Sequence, residues 1–238
     1  MMLLEQGVVF CRETGDQSNL AATLMFLADV VRDMSDYARA SMLYQASLDI
    51  YRQLDDTPSL AWLYHSWSDM AMQQGEDVQG LALSQEGLRL FRALDAKPGM
   101  GLALHLQGIF RQRQGDDASA LACLAECLVL FKEVGSVMGT AIGLGGLAVV
   151  MITLGQRQPA DSAQRIATTR RAIQLLGAAE ALREASTCPL FQVQRKEFDR
   201  TIPVARAVLG EAAFVRAWTD GRAMSLEQAI ASALDEVV

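Results

Sequence analysis

The chain repeats itself. Shifted by 40 residues, one unit runs from Leu20 to Pro58, a second from Leu60 to Pro98, a third starts at Met100 and a fourth at Thr140. Ser35, Gly75, Gly115 and Gly155 fall in one column, and Asp36, Glu76 and Asp116 follow the first three. A turn-forming residue followed by an acid reads as a break and an N-cap, where a carboxylate meets the positive end of a helix. Asp55-Asp-Thr-Pro58 and Asp95-Ala-Lys-Pro98 mark a second break in their units. Ala28, Ser68, Gly108 and Ala148 form a column of small residues, and Ala40, Gly80 and Ala120 form another. Leu48, Leu88 and Leu128 share a bulky column, as do Tyr51, Phe91 and Phe131. Each unit therefore reads as two helices of roughly 15–18 residues joined by short turns. Small residues let paired backbones approach, and bulky ones fill the space between successive pairs. One pair cannot bury its own apolar face, so the units must stack.

Composition agrees with helices. Apolar residues make up 51% of the 238, yet only 6% are aromatic, so Ala, Leu, Val and Met dominate. Charged residues at 21% and five prolines exclude a disordered or collagen-like chain. A net charge of −7 disfavours direct nucleic-acid binding, which needs clustered Lys and Arg. Cys11 and Cys188 are isolated, while Cys123 and Cys127 lie four apart on one helix face. All four read as reduced, small-apolar packing residues of a cytoplasmic protein. The opening Met1-Met2-Leu3-Leu4-Glu5 lacks the basic region and long apolar run of a signal peptide. Between Glu133 and Arg157 no residue is charged, and Gly135, Gly139 and Gly143 recur every four. That length could span a bilayer. Because the segment keeps the repeat, a buried helix is expected instead, with no membrane role.

The columns resemble the tetratricopeptide repeat. Its small residue near position 8 corresponds to Ala28, Ser68 and Gly108, its alanine near position 20 to Ala40, Gly80 and Ala120, and a later aromatic or small position to Tyr44 and Leu124. The period departs from the usual 34, and the family's tryptophan at the fourth position is replaced by Leu24, Tyr64, Leu104 and Leu144. The resemblance covers residues 1–155. It implies an all-α, right-handed superhelix of antiparallel helix pairs, with a half repeat at 1–16 and units from about 18, 58, 98 and 138. Residues 4–14 align with 44–54, the end of a second helix, and the first helix of that pair is missing. This predicts a piece of a longer protein and an open N-terminal face around Val8, Val9 and Phe10, prone to self-association.

After Gly155 the pattern loosens across Gln156–Thr169, resumes at Ala172–Leu182, and breaks at Cys188-Pro189. Three helices are expected beyond, at 193–209, 211–219 and 226–236, separated by Gly210 and Gly221. Ser225-Leu-Glu-Gln228 has the form of a capping box. Residues 156–238 thus read as a loosened last repeat helix plus a C-terminal helical cap. The strings Leu175–Arg183, Leu209–Phe214, Ala217-Trp218 and Gly221–Ala229 resemble the C-terminus of large bacterial transcriptional regulators. In that group a P-loop ATPase module precedes a tetratricopeptide array, often with a LuxR-type output domain. The resemblance implies a sensor region of a signalling ATPase and regulator; a freestanding adaptor that holds a partner peptide is the alternative.

Residues that would carry chemistry are few. There is no GxxxxGK[ST], so no P-loop of its own, and Gly143-Leu-Gly145-Gly146 follows no expected strand. Two histidines exclude an HExxH site. His65, Ser68 and Asp69 sit within about one helical turn, but a triad usually draws on separate elements, and Ser68 belongs to the small column. No enzyme activity and no cofactor or metal is expected. In the resembled family, positions 2, 5, 9, 12 and 13 of first helices line the concave face. Carried over, these are Ala22, Met25, Asp29, Arg32 and Asp33, then Trp62, His65, Asp69, Met72 and Gln73, then Leu102, His105, Ile109, Gln112 and Arg113. His65 and His105, both histidines of the chain, occupy one column. They are either satisfied helix residues or part of a groove for a protein, peptide or small effector. In the groove reading, binding should change between about pH 5.5 and 7.5, where an ordinary imidazole titrates.

Overall fold

The computed structural model describes residues 1–159, 162–186 and 192–235. Cys188 and Pro189, expected at a helix break, and Asp161 lie outside the described residues. Among the described residues there are twelve α-helices and no strand. These are α1 (Met2–Thr14), α2 (Gln17–Asp33), α3 (Tyr37–Gln53), α4 (Thr57–Gln74), α5 (Asp77–Ala93), α6 (Lys97–Arg113), α7 (Asp117–Glu133), α8 (Val137–Gln156), α9 (Ala163–Ala185), α10 (Gln192–Leu209), α11 (Glu211–Arg222) and α12 (Leu226–Leu234).

From Gln17 to Val137 a new helix opens every 20 residues. The turns explain this regularity. Gly15, Ser35, Asp55, Gly75, Asp95, Gly115 and Gly135, also 20 apart, all lie at positive φ, between 49° and 85°. One left-handed residue reverses the chain at the end of a helix. The next residue then caps the following helix. Asp16, Asp36, Asp56, Asp116 and Ser136 each accept a bond from the backbone N–H three residues on. Glu76 holds the same place without a side-chain bond, as expected of a carboxylate one methylene too long.

Gly155 departs from its column. It lies inside α8, buried, and the helix runs on to Gln156. The helical pattern resumes before Ala172, because Ser162 caps α9 and the helix is already formed at Ala163. Gly221 likewise does not separate helices. A Cβ there would fall 2.0 Å from the Gln174 carbonyl oxygen, so the glycine marks where α11 crosses α9. Ala223 and Met224 make the break instead, and the capping box at Ser225 and Gln228 is formed in both directions.

Two compact units divide the chain, residues 1–106 and 107–238. In the first, α1 packs on α2, α2 on α3, and α4 on α5. Serine hydroxyls sit at tight crossings: Ser47, Ser68 and Ser84 each donate 2.8 Å bonds to the backbone oxygens of Ala21, Gly80 and Ala103. Such bonds satisfy a buried hydroxyl without needing a side-chain partner. The outer face of α1 is open, with Leu3 79%, Phe10 64% and Val9 53% exposed, whereas Val8 and Cys11 are buried.

In the second unit, α8 is the core helix. It is long and apolar enough to cross a bilayer, the one such helix among the described residues. Its neighbours account for that composition: α7, α9, α10 and α12 all pack on it, and Leu144, Leu147, Ala148 and Val150 are fully buried. Gly139 lies under the Phe131 ring and Gly143 under Leu128. The glycine spacing thus serves close contacts to α7. The first of these pairs recurs in the first unit, where Gly99 lies under Phe91.

Candidate functional site

The first unit gathers most of its unusual chemistry on the first helices of its pairs, α2, α4 and α6. The cluster grows from Arg32, whose side chain is 13% exposed. Its Nη1 lies 3.0 Å from Asp29 Oδ1 and 3.3 Å from Asp69 Oδ2, and its Nε donates a 3.0 Å bond to Asp33. Tyr44, from α3, donates a 2.6 Å bond to the same Asp29 oxygen. Gln73 donates a 3.2 Å bond to Asp69 Oδ2. Helical spacing sets this up: Asp29, Arg32 and Asp33 lie within one turn of α2, and Asp69 and Gln73 one turn apart on α4.

Burial opposes the Arg32 charge, but Tyr44, Asp69, Asp29 and Asp33 outweigh it and raise the guanidinium further above its ordinary value. Burial raises Asp29 and Asp69, with Tyr44 and Arg32 pulling Asp29 back and Arg32 and Gln73 pulling Asp69 back. Tyr44 is raised by burial and by Asp29, so its hydroxyl remains a donor.

Beside this network stand Trp62, His65 and His105. The Trp62 indole is 42% exposed and meets His65 edge-on at 6.0 Å and Phe91 at 5.0 Å. His65 and His105 keep part of their surface open, yet the Nδ1 atom of each is sealed from solvent without a hydrogen-bond partner. Burial, aided by the Arg32 charge, lowers His65 to about 4. Burial and then His65 lower His105 to about 4 as well. Both imidazoles are therefore neutral between pH 5.5 and 7.5, and the titration expected there from their ordinary value moves out of that range. Trp67, stacked on Tyr44 at 5.8 Å, has a buried Nε1 with no partner.

Eight expected residues thus come together in the first unit: Asp29, Arg32, Asp33, Trp62, His65, Asp69, Gln73 and His105. Met72, at 6% exposure, is buried there. Ala22, Met25 and Leu102 are half-buried in the first unit, and Ile109, Gln112 and Arg113 lie in the second. Ile109 and Gln112 are 5% and 6% exposed. Arg113 makes a 2.7 Å ion pair with Glu197 of α10. Ser68 spends its hydroxyl on Gly80, which accounts for it as a packing residue. Cys11, Cys123 and Cys127 are free thiols; burial pushes the latter two up, as suits packing residues. Among the described residues no group of three or more His, Cys, Asp or Glu could hold a metal ion.

Sequence spacing missed Tyr44 and Ser66 as members of the cluster. Tyr44 hydrogen-bonds Asp29 from another helix 15 residues away, and the Ser66 hydroxyl helps hold the Asp29 carboxyl down. Tyr44 shares its column with Ser84 and Leu124, so the 40-residue spacing gave no sign that its hydroxyl would reach Asp29.

No protein-family model matches the chain, and no curated protein is found similar to it in sequence.

Proposed function

We propose that this chain is a tetratricopeptide-like superhelix with a helical cap, and that it serves as a non-catalytic scaffold holding a protein, peptide or small effector on the face formed by its first helices. The observation that carries this reading is the cluster around Trp62, His65, Asp69 and Arg32. It places an exposed indole beside half-buried polar groups on elements set at a fixed spacing, and such a surface combines a packing anchor with orienting charges. The C-terminal strings support a place in the sensor region of a bacterial signalling ATPase and transcriptional regulator. An occupant would act there by favouring one state of the attached switch.

A photoreactive amino acid installed at position 62 tests the reading. In cells of the source organism, position 62 should form a discrete adduct, while Val78, 79% exposed on α5, should not when substituted in the same way. Equal labelling at both positions would count against a site on the first helices.

A further inference from the structure

The second unit carries its own occupant on the columns that form the candidate site in the first. At the 40-residue offset, His65 and His105 correspond to Gly145, Trp62 to Ile142, and Asp69 to Val149. In the first unit Trp62, His65, Asp69 and His105 are polar or aromatic and partly open, beside the half-buried Ala22, Met25 and Leu102 of the same columns. In the second they are apolar and covered: Ile142 is 7% exposed and Val149 2%. Helix α10 packs on α8 and α9. Its Phe198 fills the histidine column, with the ring 3.1 Å from where a Cβ on Gly145 would stand. The Arg183 guanidinium lies 5.2 Å from the centre of that ring, and Glu197 pairs with Arg113. Arg113 itself belongs to the column of Gln73.

An amphipathic helix with one aromatic anchor is therefore what this surface accepts where it is covered. We propose that the matching face of the first unit, lined by Trp62, His65, Asp69 and Asp33, docks a basic amphipathic helix of the α10 type supplied by a partner protein. The proposal rests on the scaffold reading above and names its partner. Charge selects the sign. Asp29, Asp33 and Asp69 face a single guanidinium, Arg32, and the two imidazoles are neutral. The α10 sequence has a matching excess, with Arg195, Lys196, Arg200 and Arg206 against Glu197 and Asp199. The imidazoles fill the room that Gly145 leaves in the second unit. The incoming helix is thus held further out, meeting the exposed indole and the rim carboxylates rather than backbone.

The probe is a labelled synthetic peptide of residues 192–209, titrated with the full chain by fluorescence anisotropy. Saturable micromolar binding that weakens with added salt is expected. Trp62→Ala in the protein, or Phe198→Ala in the peptide, should weaken it at least tenfold, with the helical circular dichroism of the protein unchanged. Asp33→Asn should weaken it several-fold. The idea is overturned if the peptide does not bind, if a scrambled peptide of the same composition binds equally, or if Trp62→Ala binds like the parent. It is also overturned if Arg113→Glu, in the second unit, releases the peptide while Trp62→Ala does not, since the peptide is then only displacing α10. A discrete adduct at position 62 together with a silent peptide would leave the scaffold reading standing and remove this one.

Discussion

Two imidazoles held neutral inside the first unit make its stability depend on acid. In the unfolded chain a histidine takes up its proton near pH 6.5; in the fold His65 and His105 do so only at about 4. Between those values the unfolded state binds more protons. Stability is thus full above about pH 6.5 and falls as the pH drops toward 4, by on the order of 1–3 kcal/mol per imidazole. Asp29 and Asp69 are raised, so their contribution has the opposite slope and lies at the acid end. Urea unfolding across pH 4–7 should show the histidine slope, and His65→Gln with His105→Gln should flatten it. Parallel curves for the parent and the double variant would contradict the burial of these rings. The sequence showed that the two residues share a column, because a column is a matter of spacing. It could not show their protonation, which depends on burial by residues distant in sequence and on the Arg32 charge.

At the scale of single helices and turns, glycine was the ambiguous letter. Gly75, Gly115 and Gly135 end helices at positive φ, whereas Gly155 and Gly221 are buried within helices, and only tertiary neighbours separate the two uses. Acids and hydroxyls were more legible, since an N-cap is local and repeats with its turn. Two kinds of substitution follow from these geometries. Ser35, Asp55 and Asp95 adopt the left-handed conformation without being glycine. Replacing each by Gly should raise stability by about 0.5–1 kcal/mol, and Gly115→Ala should lower it by about 1 kcal/mol or more. Within helices the order reverses. A Cβ on Gly87 would meet its neighbours at 3.4 Å, so Gly87→Ala fits and gains helix propensity, up to about 1 kcal/mol. Gly221→Ala would drive a methyl into the Gln174 backbone and should cost about 1–3 kcal/mol or more. Thermal melts ranking Gly221→Ala at or above Gly87→Ala would contradict the α9–α11 crossing.

Across the whole molecule, the period of 40 residues revealed the helical hairpins, but the way the last ones are covered breaks that period and was only partly readable. The three C-terminal helices were expected from Gly210, Gly221 and the capping box at Ser225, yet nothing in their spacing tells that Phe198 seats on Gly145 or that Trp218 lies against Gly177. Those contacts give α8 its apolar surroundings. Phe198, Ala205, Phe214, Ala217, Ala229 and Ala233 join the same buried cluster as Leu144, Leu147 and Val149. Removing residues 187–238 would therefore strip cover from α8 and α9 together and expose a run of side chains with no charge between Glu133 and Arg157. An apolar surface of that size draws the chain to itself or to a lipid surface. The first unit keeps its own core, including Tyr44, Leu63 and Phe91. A chain ending at residue 186 should accordingly associate on sedimentation and melt several degrees lower in the transition of the second unit. The histidine-dependent pH slope should survive in the first. A truncated chain that stays monomeric with an unchanged melting profile would mean that α10–α12 are not what buries α8.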